Sequence, residues 1–270
     1  MCRLLASLSE TPHRLDDLAD DQLSQFRAIA NLHGDGWGVA WRDANHMVNR
    51  YRNATSAAHD PFFSDYASSV ASDAHLVHTR WASPGFPVLE ANAHPFFAER
   101  IAFAHNGFIR DSERLEAYLG DTDLGGEGLD TDSKRYFALV LERSRQTGSL
   151  EAGLKDAIAI IRDTCGVAGT NAMVLSEDQF ICAHAWAGAR VPIDLLADRA
   201  GGIEHLPPGH DENYYVLSTR RVNGIFQIAS TGLVDGGWTA LPGEGFVVVD
   251  RGSIDARFSP IDGGASVTLS

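Results

Sequence analysis

Cys2 becomes the first residue of the chain once the initiator methionine is removed, and it then carries a thiol and a free α-amine on one residue. An unperturbed thiol ionises near about 8.5 and an α-amine near about 7.7–8.0. The amine can therefore take the thiol proton, directly or through a water, with no histidine partner. Three further segments hold groups that could serve such a nucleophile. His-Thr-Arg-Trp-Ala-Ser-Pro-Gly places Arg80 and Trp81 at a strand end, before a turn at Pro84 and Gly85. Ala-His-Asn-Gly-Phe places Asn106 and Gly107 at the tip of another strand, and Leu-Asp-Thr-Asp-Ser-Lys places Asp132 near a helix N-terminus. Each alone has a plainer reading: a cysteine as a small buried hydrophobe, an arginine in a surface ion pair, Asn-Gly as a hairpin turn, an aspartate as a helix cap.

In order and rough spacing, Met-Cys, His-Thr-Arg-Trp-Ala, His-Asn-Gly and Thr-Asp-Ser resemble the class II, N-terminal-nucleophile glutamine amidotransferases, over residues 1 to about 140. The resemblance implies an α+β fold: a four-layer αββα sandwich of two mainly antiparallel sheets enclosed by helices. It implies that Cys2 attacks a γ-carboxamide carbon and forms a thioester that water resolves. Asn106, through its side chain, and Gly107, through its N–H, would form the oxyanion hole, where one donor is worth about 3–4 kcal/mol of barrier. Arg80 would clamp the substrate α-carboxylate through two parallel hydrogen bonds, a geometry lysine matches poorly. Trp81 would line the same substrate site and Asp132 would receive the α-ammonium.

Two segments depart from the synthase-type members. Asp35-Gly36-Trp37-Gly38 stands where those show an Arg-Gly-Tyr-Asp type stretch, and is more like small stand-alone members such as the γ-glutamyl hydrolase of ergothioneine synthesis. Ala82-Ser83-Pro84-Gly85 lacks the Thr and His that follow the Ala in the synthase pattern. Asn92-Ala93-His94-Pro95-Phe96 is read as packing.

The elements that must hold these groups follow from periodicity. Cys2 to Ser9 reads as a short buried strand. A helix follows, with Leu15, Leu18, Phe26 and Ile29 on one face. Gly36–Asp43 and His46–Arg52 read as a hairpin, His75–Arg80 and Arg100–Ile109 as strands, and the segments from Asp111, Asp132 and Leu150 as helices. Strand-like runs follow at Thr170–Ser176, Gln179–Gly188, Tyr214–Val222, Gly245–Gly252 and Ile254–Ser259, with Ile203–Tyr215 as a long surface loop. Strands flanking a helical block, without regular alternation, suit an α+β layered fold over a single domain spanning residues 1–270.

Composition narrows the partners. A net charge of −14 argues against nucleic acid and anionic membrane, though not against a small anionic substrate. Three cysteines without close spacing fit a reducing compartment, with Cys165 and Cys182 as core thiols. The N-terminus lacks a signal-peptide pattern and no stretch has membrane-span length, so a cytoplasmic protein is expected. No metal or other cofactor is expected. The histidines lack a completing zinc pattern, and the Asp121–Asp132 run departs from a calcium loop at Gly125 and at its last ligand.

The resulting expectation is hydrolysis of glutamine or a γ-glutamyl amide through a Cys2 thioester. A glutaminase subunit feeding ammonia to a separate synthase is the neighbouring alternative. A bile-acid or penicillin-V type hydrolase also begins Met-Cys, but its Gly-Arg-Asn pattern is missing. A non-catalytic binding or scaffold sandwich would keep Met1.

Overall fold

The computed structural model describes residues 2–83 and 85–269. In chain order they form β1 (Arg3–His13), α1 (Gln22–Ile29), β2 (Trp37–Arg42), β3 (Val48–Asn53), α2 (Pro61–Ser69) and β4 (Ser72–Thr79). β5 (Phe96–Ala98), β6 (Ile101–Phe108), α3 (Asp132–Thr147), α4 (Leu150–Cys165), β7 (Gly169–Leu175) and β8 (Gln179–His184) make up the middle. α5 (Ile193–Ala200), β9 (Leu217–Val222), β10 (Ile225–Ser230), β11 (Thr239–Ala240), β12 (Gly245–Asp250), β13 (Ala256–Pro260) and β14 (Val267–Leu269) complete it.

These strands build two seven-stranded sheets, ordered β11-β9-β10-β1-β4-β2-β3 and β14-β13-β12-β8-β7-β6-β5, with antiparallel pairings throughout. Alternation along the strands assigns the layers. Leu4, Ala6 and Leu8 of β1 face inward and meet Ala104, Met173 and Val247 of the other sheet. Leu5 faces outward beside Val77 and packs on Phe26 of α1 and on Phe63 and Tyr66 of α2. The outer face of the second sheet, with Phe103, Val174 and Ile181, is covered by Phe137, Val140, Leu154 and Ile158 of α3 and α4. The result is the expected four-layer αββα sandwich.

Local signals explain the helix starts. Thr131 caps α3 by accepting from Lys134 N–H at 3.2 Å, and Ser149 caps α4 by accepting from Ala152 N–H at 3.3 Å. Asp60 caps α2, with Pro61 in its first turn.

Several elements differ from the sequence reading. β1 runs on through Pro12 to His13, so the helix expected after Ser9 shrinks to α1, behind a 3-10 turn at Leu15–Asp17. Asp20 and Asp21, at φ 62° and 54°, break it, yet Leu15, Leu18, Phe26 and Ile29 are all buried. Ser112–Tyr118 is a 3-10 segment rather than an α-helix. α2, α5 and β10 were not anticipated. Asn106-Gly107 is no hairpin: it lies within β6, opposite Asn171 and Thr170 of β7. Among the described residues, no helix is long and apolar enough to cross a membrane.

Candidate active site

The start of β1, a central strand of its sheet, lies against β6 of the facing sheet. Register with β4 sets Arg3 opposite Thr79, which leaves Cys2 and Arg80 adjacent just beyond the paired residues. From the facing sheet, Asn106 of β6 reaches across, and its Oδ1 accepts from the Cys2 backbone nitrogen at 2.9 Å. The Asn106 Nδ2 is buried and makes no hydrogen bond in the described structure. Gly107 follows it, where a Cβ would collide with the carbonyl oxygen of Gly169, so close backbone approach, not a turn, demands glycine there. Cys2, Arg80, Trp81, Gly107 and Asp132 line one cleft, together with His94, His105 and Thr131.

Asp132 is the first residue of α3, and Thr131 rather than Asp132 is its cap. Its Oδ2 accepts from Ile109 N–H at 2.9 Å and its Oδ1 from Ser133 N–H at 2.8 Å, which fixes the carboxylate against the end of β6. His105 ties the same two elements, bonding Ser133 Oγ at 2.8 Å and the Gly169 carbonyl at 2.9 Å.

Arg80 is 5% exposed, and both terminal nitrogens donate to the Pro87 carbonyl at 3.2 Å. Burial lowers its guanidinium pKa, opposed by the charges of Cys2, Asp35 and Asp132. The cleft left free is about 30 Å³, room for about two waters. Trp81 is buried among Leu32, Leu196, Tyr214 and Tyr215, and its carbonyl lies 3.9 Å from the Cys2 sulfur.

Burial alone would raise the Cys2 thiol, but the positive charge of the amino terminus and then His78 outweigh it and bring the thiol down to about 5. Met1, whose removal the chemistry requires, lies outside the described residues, as does Pro84 of the expected turn. Cys182 is buried between the sheets, where burial raises its thiol. Cys165, at the end of α4, is half-buried and packs against the edge of the core beneath α3 and α4.

Several residues around the site escaped sequence reasoning. His78 Nε2 and His94 Nδ1 are 3.0 Å apart, and Cys2, His78 and His94 bring ligand-type atoms within 4.8 Å of one another. These three side chains are the described group with the donors to hold a soft metal ion. Burial, then His78, pushes His94 well below its ordinary range, so its ring stays neutral. Arg3 is fully buried over the Tyr214 ring at 3.7 Å, and its Nε donates to the Cys2 carbonyl at 2.6 Å. Asp35 accepts from Ala82 N–H at 2.9 Å and forms a two-pronged pair with Arg199 of α5 at 2.6 and 2.7 Å. Through Ala82, that pair anchors the start of the loop after Arg80. The signal for His78 and His94 was present in His-Thr-Arg-Trp and Asn-Ala-His-Pro; Arg199 had none.

The Asp121–Asp132 run holds no cluster of calcium-ligand type among the described residues. Its Glu127 pairs with Arg50 and Arg52 instead, and Asp130 with Lys134.

Residues 1–193 match the family model described as glutamine amidotransferases class-II. The chain belongs to the class-II glutamine amidotransferases. Among the family's curated proteins, it is 32% identical over 162 residues to a glutamine–fructose-6-phosphate aminotransferase of Pseudomonas syringae, covering 58% of this chain and 23% of that protein. A Pseudomonas aeruginosa enzyme of the same name is 34% identical over 161 residues, 56% and 22% of the two chains. The chain thus spans about a quarter of the length of these relatives. In fold it is similar to a class-II glutamine aminotransferase domain protein from Silicibacter pomeroyi (TM-score 0.63, 20% identity, all of both chains). It is also similar to a glutamine phosphoribosylpyrophosphate amidotransferase from B. subtilis (TM-score 0.56, 16% identity, 96% and 51%).

Proposed function

We propose that this amidotransferase chain acts as one unit over residues 1–270 and hydrolyses glutamine or a γ-glutamyl amide through Cys2. The observation that carries the reading is the buried, unpartnered Asn106 Nδ2 on a side chain already tied to the Cys2 nitrogen. A buried donor left unmade is costly, and an oxyanion formed on attack by Cys2 gives it a partner.

The thiolate attacks the γ-carbonyl carbon, a C–S bond forms, and the carbonyl oxygen takes negative charge facing Asn106 Nδ2 and the Gly107 N–H. As the tetrahedral species collapses the C–N bond breaks. The leaving amine takes the proton that the thiol had given to the α-amine. Water then adds to the thioester, giving its proton back through the amine, and glutamate departs with the Cys2 thiol restored. Arg80 exchanges the Pro87 carbonyl for the substrate α-carboxylate, Trp81 walls the head group, and Asp132 takes the α-ammonium. The pair of charges fixes the distance from amino-acid head to scissile carbon. No metal or other cofactor is needed in this scheme.

Two substitutions separate binding from chemistry. Arg80→Lys keeps charge but loses the planar fork, and is expected to raise KM about tenfold or more with kcat little changed. Asn106→Ala is expected to lower kcat by about 10²–10³ with a small change in KM. Steady-state kinetics on one substrate checks both.

The reading as a stand-alone γ-glutamyl hydrolase, similar to that of the ergothioneine pathway, draws on Asp35-Gly36-Trp37-Gly38. In the structure a Cβ at Gly38 would strike the His94 and Tyr51 carbonyls, so this stretch lies against the histidine pair. A second reading, ammonia delivery to a separate synthase, is favoured by the relatives whose matched part is about a quarter of a longer aminotransferase. Assaying glutamate release from glutamine and from γ-glutamyl amides decides between them. Turnover of the amides above glutamine supports the hydrolase, turnover of glutamine alone the synthase partner, and no glutamate from any of them overturns both.

A further inference from the structure

Four buried histidines, His13, His75, His105 and His184, hold both ring nitrogens in hydrogen bonds. His78 and His94 do not. They bond each other at 3.0 Å, but His78 Nδ1 and His94 Nε2 are buried and have no partner among the described residues. A buried polar atom left in that state is costly. Both rings stand beside the nucleophile, since Cys2, His78 and His94 present ligand-type atoms within 4.8 Å of one another. Cys2 and His94 also line the substrate cleft, so a small ion reaches them by the substrate's own entrance.

Two imidazoles and a thiolate suit a borderline-soft cation such as Zn²⁺, whereas Mg²⁺ and Ca²⁺ take oxygen ligands. An imidazole coordinates through one nitrogen while its proton sits on the other. Because one nitrogen of each ring is uncommitted, both rings reach a coordinating tautomer at the loss of at most the bond that joins them. Bond lengths of about 2.3 Å to sulfur and about 2.0–2.1 Å to nitrogen set the ligands of one tetrahedral ion about 3.3–3.6 Å apart. A separation of 4.8 Å therefore has to close by about 1 Å, a shift on the scale of a side-chain rotation. In a resident site the second N–H of each histidine is held by a carboxylate or carbonyl, and loss of such a partner costs about 10–100-fold in affinity. Neither His78 nor His94 has one, so the geometry suits an ion that comes and goes rather than a built-in cofactor.

We propose that Cys2, His78 and His94 form a reversible inhibitory site for Zn²⁺ or a cation of like softness, and that ion and substrate exclude one another there. The thiolate serves as nucleophile and as metal ligand alike. On binding, a metal–sulfur bond forms at Cys2, the thiol proton passes to solvent and each histidine donates one lone pair, with no change of oxidation state. The sulfur lone pair that would attack the γ-carbonyl is then held by the metal. With Met1 removed, the α-amine on the adjacent carbon can close a five-membered chelate ring on the same ion, which takes the base out of action as well. The inference rests on Cys2 as the nucleophile of the hydrolytic reading above and adds its regulation.

Cobalt(II) reports the site without turnover. Titrated into the metal-free wild-type chain, it is expected to give a sulfur-to-cobalt charge-transfer band in the near ultraviolet, which Zn²⁺ then displaces. Cys2→Ala should abolish the band, and His78→Gln and His94→Gln should each weaken Zn²⁺ binding about tenfold or more by calorimetry. No band in the wild type, or a band and Zn²⁺ affinity unchanged in Cys2→Ala, overturns the inference; this arm stands even where a histidine variant fails to fold. At about ten times its Kd and low substrate, Zn²⁺ should lower glutamate release about tenfold, with saturating glutamine relieving the loss, a chelator reversing it and Mg²⁺ having no effect. Full release with Zn²⁺ bound overturns the inference. If the wild type releases glutamate from no substrate, the hydrolytic reading falls alone. The site is then decided by the band and by iodoacetamide: Zn²⁺ that shields Cys2 from alkylation supports it, and alkylation at an unchanged rate overturns it.

Discussion

Cys2→Ala is expected to lower glutamate release by about 10⁴–10⁶ in kcat, the scale on which a removed nucleophile acts. Asn106 and the arginine fork can still bind the substrate but have no attacking atom to serve. The fold should survive. Cys2 is 5% exposed at the lip of the cleft, and losing one sulfur there costs about 1 kcal/mol. Thermal melts should therefore nearly overlay, while a coupled glutamate assay falls to background; a variant that keeps its turnover removes Cys2 from the chemistry. The same assay against pH reads the thiol. Although burial opposes it, the charged amino terminus and His78 draw the thiol well below its ordinary range, so kcat/KM is expected to be level from about pH 8 to 6, where an unshifted thiol near about 8.5 would lose about tenfold per unit. Intact mass of the active protein should show Met1 gone, since a retained Met1 would leave the nitrogen of Cys2 acylated and useless as a base.

Acidification should also unfold the protein steeply, for a reason unconnected with catalysis. Burial pushes His75 and His210 down to about 3, and His13 and His184 down to about 4. All four rings are bonded in place: His13 to Ser9 and Ser7, His75 to Tyr66 and the His13 carbonyl, His184 to the Gly243 carbonyl, His210 to His33. For His13 the nearby Asp17 and Asp73 oppose the shift without reversing it. An unfolded chain protonates these imidazoles below about 6.5, whereas the folded chain holds them neutral until far lower. The unfolded state therefore binds more protons, and stability falls as pH drops from about 6.5 toward 4. Each ring contributes at most about 1.4 kcal/mol per unit, so the four together approach about 5 kcal/mol per unit. A total stability of about 5–15 kcal/mol does not outlast that slope for long. Urea denaturation at pH 7, 6, 5 and 4.5 should show the midpoint collapsing by pH 4.5. A midpoint that stays flat over that range contradicts the account.

What the sequence disclosed about the site depended on distance along the chain. Cys2, Arg80, Trp81, Asn106, Gly107 and Asp132 each sit in a short run whose residue types restrict it. The cleft collects five of them, while Asn106 enters through its bond to Cys2. Contacts that shape their surroundings join residues with no local signature: Arg3 with Tyr214 and Thr231, His33 with His210. A pattern-based reading has no access to such pairs, because neither partner looks unusual in its own segment.

The fold divides in the same way. α3 and α4 are long, capped and strongly periodic, so they stand out. α2 carries an equally good start in Asp60-Pro61, but its nine residues are too few for the period to declare itself. β1 outruns the strand end expected at Ser9, because two polar residues, Glu10 and Thr11, followed by Pro12 with no N–H fit a strand end as well as the exposed arm seen here. Asn106-Gly107 shows the opposite failure: a strong local turn signal overruled by tertiary packing against Gly169.

The strand bearing the nucleophile has one further consequence. β1 precedes the other described elements in sequence, yet it is sandwiched between β4 and β10, with Leu5 aligned to Ala229. A ribosome extending this chain releases the sulfur's own strand long before its second neighbour, β10. Half of the nucleophile's scaffold is therefore missing through most of synthesis, and a nascent chain halted before Ile225 holds a thiol without its cleft geometry. Supply of the nucleophile's strand and completion of its sheet are thus separate events in time, the second waiting on β10.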